Sequence, residues 1–360
     1  MKKMLGIIAA FAIALSASPA LSASHTMEKV KACFIYVGPI GDFGYSYQHD
    51  QGRLHLEEAL GDKVETAYLE SVPEGADAER AIERFARSGC NIIFTTSFGY
   101  MDATNKVAGK FPDVKFEHAT GYKREHPNVS TYNSKFYEGR YIQGQIAAKM
   151  SKVGVAGYIA SFPIPEVVMG INSFVLGAQS VNPDFKLKVV WANTWIDPGK
   201  EADAAKALID QGADIITQHT DSTAPMQVAT ERGIKAFGQA SDMIRFGPQT
   251  QLTAVVDDWG PYYVKRVSAL LDGTWEQVDV WGGMKEGHVV MAPYTNMPDD
   301  VKALAEETEA KIKSGAFDPF TGPVKKQDGS DWLAEGEVAD PGVLLGMNFY
   351  VAGVDDQLPQ

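Results

Sequence analysis

One pattern in this chain is written twice, and it constrains the fold more than any other feature. Asp77–Arg87 carries apolar residues at 78, 81, 82, 85 and 86, a helical spacing closed by Gly89. It leads into Asn91-Ile-Ile-Phe-Thr-Thr96, a continuous apolar run of the kind found in buried parallel strands. At an offset of 123 residues, Glu201–Gly212 repeats the helix and its glycine stop, and Ala213–His219 repeats the Ile-Ile strand. The echo suggests two similar lobes. Around each copy, strands and helices alternate. Strands are expected at 30–37, 64–69, 91–96, 115–119 and 129–132, then at 152–159, 186–193 and 214–219. Helices are expected at 52–60, 77–87, 102–110, 137–150, 165–181 and 200–211. Further strands at 253–257 and 289–292 and helices at 261–272 and 299–314 continue the series. Such alternation predicts α/β architecture, with doubly wound parallel sheets covered by helices on both faces. Residues 316–360 read as an irregular tail packed on the lobes.

Residues 1–23 read as a secretory signal. Lys2 and Lys3 precede the apolar stretch Met4–Leu15 and the small-residue stretch Ser16–Ala23. The apolar core is too short for a bilayer, which needs ~20 residues. No cysteine lies near the cleavage region, so no lipid anchor is expected. The mature chain is expected to be exported and soluble, which means periplasmic in a bacterium with two membranes. What remains exceeds the size one core usually serves, so two domains are expected. A net charge of −13 argues against nucleic acid or anionic lipid as a partner. Cys33 and Cys90 sit in or beside apolar strand runs. Export permits a disulfide between them, but two buried free thiols are the favoured expectation. No metal site and no cofactor are expected.

The loop Val37–Gly52 follows the first strand and holds glycines at 38, 41 and 44. Glycines there allow tight turns or close backbone approach to a ligand. Asp42, Tyr45 and Ser46 would then lie at the carboxyl edge of an α/β sheet, where ligands bind. Ser97–Asp102 and Thr220–Thr223 follow the two Ile-Ile strands and would face one another across a cleft. Neither G-x-G-x-x-G nor a phosphate-binding G-x-x-x-x-G-K-[ST] is present.

The loops carry a family likeness. Gly41-Asp42-Phe-Gly-Tyr45-Ser46, Thr96-Ser-Phe-Gly-Tyr-Met-Asp102, Trp191-Ala-Asn-Thr-Trp195-Ile-Asp197-Pro-Gly-Lys200, Gly238-Gln-Ala-Ser-Asp242 and Trp281–Gly287 stand in order along the chain. From about residue 28 to 320 the chain resembles the basic membrane protein family of substrate-binding proteins of ABC-type uptake systems. The resemblance implies a type I periplasmic-binding-protein fold, with lobes at 28–133 plus 256–282 and 134–255 plus 283–315, and a ligand cleft between them. It implies a purine base or nucleoside as ligand and an ABC permease of the inner membrane as partner. Tyr45 matches a family aromatic that stacks on the base, and Ser46 stands where the family usually has Asn. Trp195, followed by Asp197, matches the ring on the opposite face.

Two departures concern ribose. Thr120 replaces a frequent Asp, and Asp257 stands near the usual Lys, whereas Asp242 matches a ribose-contacting acid. An adenine-like base therefore fits at least as readily as a nucleoside. Phe98, His219 and Asp221 complete the candidates. Tyr45 and Trp195 have the alternative of packing on their own lobes, Phe98 of filling a core, and His219 of capping.

Other function classes remain open at this level. A sugar or signal molecule could also stack on Tyr and Trp. A hydrolase is disfavoured, because no G-x-S-x-G or H-E-x-x-H occurs and adjacent Asp257 and Asp258 would point to opposite faces of a strand. No catalytic residues are assigned.

Overall fold

The computed structural model describes residues 26–359 apart from Asp42. The expected signal segment and the candidate Asp42 lie outside the described residues. In chain order the first elements are β1 (Val30–Tyr36), α1 (Gly44–Leu60), β2 (Val64–Leu69), α2 (Ala76–Arg87), β3 (Ile92–Thr96), α3 (Met101–Ala108), β4 (Lys115–Ala119) and β5 (Val129–Ser134). Next come α4 (Tyr137–Met150), β6 (Val155–Ala160), α5 (Pro165–Gln179), β7 (Lys186–Trp191), α6 (Pro198–Asp210), β8 (Ile215–Gln218), α7 (Ala224–Glu231), β9 (Lys235–Ala240) and β10 (Gln251–Asp257). The chain continues through α8 (Gly260–Leu271), β11 (Asp279–Gly282), β12 (Val289–Met291) and α9 (Asp299–Ser314).

Two six-stranded sheets result, in the orders β11-β5-β4-β3-β1-β2 and β12-β10-β9-β8-β6-β7. Each strand of one has a counterpart at the same place in the other, so the internal echo is an architectural repeat: β3 and β8 both lie third from the edge formed by β2 or β7. All pairings are parallel except β10 with β12, which is antiparallel. The chain leaves the first sheet after β5, returns from β10 into α8 and β11, and crosses again to β12. Two apolar clusters flank each sheet. Phe34, Phe94 and Tyr263 centre one face of the first sheet, and Ile35, Ile82 and Ile93 the other. Tyr158, Phe174 and Phe237 centre one face of the second, and Leu208, Ile216 and Met226 the other.

Local chemistry explains several boundaries. Helix α2 buries Ala78, Ala81, Ile82, Phe85 and Ala86, the stripe its spacing predicts. Helix α9 starts on Asp299 and Asp300, which favour the positive end of the helix dipole, and stops at left-handed Gly315. The tail packs on the second lobe, with Phe320, Leu344, Met347 and Val351 in its core. It also covers the β7 edge: Leu187 N donates to Gly353 O (3.0 Å) and Asp355 N to Leu187 O (2.9 Å).

Two expectations are corrected. Cys33 and Cys90 are joined as a disulfide with Cα atoms 6.0 Å apart. The parallel pairing of β1 with β3 sets Cys33 opposite Ile93, and Cys90 lies just before β3, within reach of a bridge. Helix α1 begins at Gly44, not at residue 52. Its inward face is polar, with Ser46, His49, Asp50 and Arg53 all buried, so no apolar stripe announces it. An ion pair one helical turn apart, Arg53 with Asp50 (2.6 Å), and partners from other elements make that burial tolerable: Tyr36 Oη donates to Asp50 (3.1 Å), and His49 Nδ1 meets Tyr263 Oη. Helix α7 and strand β9 lie where the sequence shows no clear periodicity.

Candidate functional site

The parallel strands of both sheets direct their carboxyl ends into one cleft, and a small cavity lies there. From the first lobe, Val37 and Tyr45 line it beyond β1, Ser97 and Phe98 beyond β3, and Thr120 beyond β4. From the second, Glu166 lines it beyond β6, Trp195 beyond β7, His219 and Asp221 beyond β8, and Gln239 within β9. This is where open α/β sheets bind ligands, used twice.

The lobes are closed on one another. Tyr45 N donates to Asp221 Oδ1 (3.1 Å), and Gly44 N donates to Ser241 Oγ (2.8 Å). Trp195 Nε1 donates to Glu74 Oε1 (3.2 Å). Within the second lobe, Asp221 N donates to Trp195 O (2.9 Å), so the aspartate and the indole segment move together. Gly44 has φ of +79°, and a Cβ there would lie 2.5 Å from the Asp221 carbonyl oxygen. The close approach that this glycine permits is therefore to the facing lobe.

The electrostatics of the cleft are those of neutral hydrogen-bonding groups. Burial pushes the carboxyls of Glu166 and Asp221 up to about 8 each. Burial likewise pushes Asp257, on β10, up to about 7. Tyr45 Oη is raised well above the ordinary phenol range by burial and finds no partner among the described residues. His219 is pushed well below the usual imidazole value, by burial first and then by Arg140. Its Nδ1 lies 3.3 Å from Tyr158 Oη and its Nε2 3.9 Å from Glu166 Oε1. Arg140 is fully buried behind the cavity. It donates to Gln143 Oε1 (2.9 Å), Thr217 Oγ1 (3.0 Å), Gln218 O (2.6 Å) and Gln239 Oε1. At neutral pH the cleft thus offers O–H groups on Glu166, Asp221 and Tyr45, and an amide on Gln239. That set suits a neutral polar ring better than an ion. Among the described residues no cluster of His, Cys, Asp or Glu could hold a metal ion, and no helix is long and apolar enough to cross a membrane.

A profile of the Bmp family, described as ABC transporter substrate-binding protein PnrA-like, matches residues 29–317. The chain belongs to this family. It is 74% identical over 338 residues to a purine-binding protein of Brucella abortus (strain 2308), covering 94% of this chain and 96% of the relative. It is 37% identical over 333 residues to a putative ABC transporter glucose-binding protein of Haloferax volcanii, covering 92% of this chain and 82% of that one. Among solved structures, an ABC transporter solute-binding protein from Aeropyrum pernix K1 superposes with a TM-score of 0.69 at 20% identity, covering 82% and 93% of the two chains. That likeness concerns the two-lobed fold. The Bmp family consists of solute-binding components, which is the role the sequence motifs imply.

Of the residues singled out from sequence, Tyr45, Phe98, Thr120, Trp195, His219 and Asp221 line the Bmp-family cavity together. Three others are placed elsewhere. Ser46 Oγ accepts from Gly38 N (3.0 Å) and braces the first loop. Asp197 caps α6 by accepting from Lys200 N (3.0 Å). Asp242 accepts from Gln251 Nε2 (2.6 Å) and Ile244 N (3.0 Å) within its own lobe, and faces a separate surface depression with Phe43 and Tyr47. Small polar residues at helix starts and turns are readily recruited by nearby N–H groups, and these three are. Glu166 and Gln239 escaped sequence reasoning. Their signal was positional: Glu166 follows the carboxyl end of β6 in the first turn of a Pro-started helix, and Gln239 belongs to the quoted Gly238–Asp242 motif.

Proposed function

We propose that this protein captures a purine base, adenine-like, between Tyr45 and Trp195 and presents it to an ABC permease from the periplasm. The observation that carries the reading is the pair of aromatic side chains, one from each lobe, on a single small cavity. Thr120 in place of an acid and an Asp242 committed to its own lobe both favour a base over a nucleoside. The name of the Brucella abortus relative supports the purine class. Ligand contacting both lobes favours the closed form, and that form is what a permease would recognise.

Base stacking on an aromatic contributes about 1–3 kcal/mol. Trp195→Ala is therefore expected to weaken adenine binding at least about tenfold in calorimetry. The melting temperature without ligand should fall by only a few degrees, because Trp195 is half-buried at the cleft and packs on the edge of the second-lobe core without being enclosed in it. Unchanged affinity would sink the two-ring site.

A second reading, a sugar, has one observation in its favour, the name of the Haloferax volcanii relative. Mass spectrometry of the compound released on denaturation separates the two. A purine base supports the proposal, an intact nucleoside keeps the class and enlarges the ligand, and a sugar overturns it.

A further inference from the structure

We infer that Glu74 is a positioning residue for the ligand-facing indole of Trp195, acting across the cleft from the opposite lobe. The inference rests on the reading of Trp195 as a ligand-facing ring. Glu74 lies on the loop between β2 and α2, which is pinned to its own lobe at three points. Ser71 N donates to Gly38 O (3.2 Å), Val72 N to Tyr36 O (3.0 Å), and Tyr100 Oη to Val72 O (2.5 Å). The side chain is pinned as well. Its Oε1 accepts from Ser97 Oγ (2.5 Å) and from Gly99 N (3.1 Å). A Cβ on Gly99 would lie 2.2 Å from the Glu74 carboxyl carbon, so glycine is what admits the carboxylate to this place.

The third donor to the same oxygen is Trp195 Nε1, at 3.2 Å. An acceptor fixed by two donors of its own lobe meets an indole arriving with the other lobe. Phe162 meets the indole edge-on, with centroids 5.1 Å apart. One contact from its own lobe and one from across the cleft together fix the plane of the ring. Because the acceptor is already ordered, little orientational freedom is lost on closure. Glu74 itself does not line the cavity; it acts through Trp195, and its neighbour Ser97 does line it.

The test is a double-mutant cycle with adenine, using Trp195→Phe to keep a ring and remove its N–H. Glu74→Ala is expected to weaken adenine binding about three- to tenfold in the parent, the range of one hydrogen bond. On the Trp195→Phe background it should have no further effect. Glu74→Gln, which keeps an acceptor oxygen, should restore most of the affinity. Equal losses on both backgrounds would mean that Glu74 only shapes its own loop, and would overturn the inference; so would full affinity in Glu74→Ala. Failure of the parent protein to bind adenine is a different result, and it removes the ligand reading together with the inference built on it.

Discussion

Gly44→Val should leave the protein folded and cost it roughly hundredfold in affinity for its ligand. In the closed structure a Cβ at this position would sit 2.5 Å from the Asp221 carbonyl oxygen and 2.8 Å from the Asp221 Cβ. Neither is the free end of a flexible side chain, so the overlap is relieved only by parting the lobes. Parting them breaks the bond from Tyr45 N to Asp221 and the bond from Gly44 N to Ser241. It also carries Trp195 away from Tyr45, because Asp221 N holds the Trp195 carbonyl. One lost stacking face, at about 1–3 kcal/mol, and hydrogen bonds at about 1 kcal/mol each account for the size of the effect. The open form bears only the strain of a branched residue at φ +79°, about 1–2 kcal/mol, seen as a few degrees in melting temperature. Calorimetry gives the affinity, and small-angle scattering with and without ligand shows whether closure is lost. Parental affinity in Gly44→Val would mean that the ligand is held without this closure.

Ligand affinity should fall as pH rises from 6.5 to 8, by at least about tenfold. In the closed form Glu166 and Asp221 keep their protons up to about 8. In an open, hydrated cleft they return toward the ordinary carboxyl range near 4. Closing therefore takes up protons between about pH 4 and 8, and the closed form loses ground as pH climbs through that window. Each proton taken up contributes at most about tenfold per pH unit. Below pH 6.5 His219 acts in the opposite sense. Its closed form resists protonation, so closing there releases a proton, and the two slopes oppose each other. The interval above 6.5 isolates the acids. Titrations in buffers of different ionisation enthalpy count the protons directly. Asp221→Asn should make the profile shallower without abolishing it, since its amide keeps an acceptor for Tyr45 N and leaves Glu166 as the remaining titrating acid. A parental profile flat from 6.5 to 8 would show that the carboxyls are already charged in the complex.

Local sequence carried far into the fold but less far into the site. The periodicity of 78–86 and its copy at 201–212 determined two similar α/β lobes, because helix and strand spacing are properties of neighbouring residues. The aromatic residues Tyr45 and Trp195 were legible through the motifs around them, and they do reach the same cavity. Helix α1 was only partly legible, since a polar inward face forms a helix only when Tyr36 and Tyr263 meet it. The disulfide was decided by the pairing of β1 with β3, which brings together cysteines separated by 57 residues.

The roles of individual polar residues were tertiary decisions throughout. Ser46, Asp197 and Asp242 have the chemistry of ligand contacts, but a backbone N–H or a neighbouring amide takes up each of them. Glu166, Gln239 and Glu74 gain their places only because strands far apart in sequence end at one cleft. Spacing and side-chain type set most of the strand and helix segments and the apolar faces they bury, α2 being the clearest case. Which polar groups meet a ligand, and which stay neutral, was decided by long-range packing, because both depend on partners and desolvation that no local segment contains.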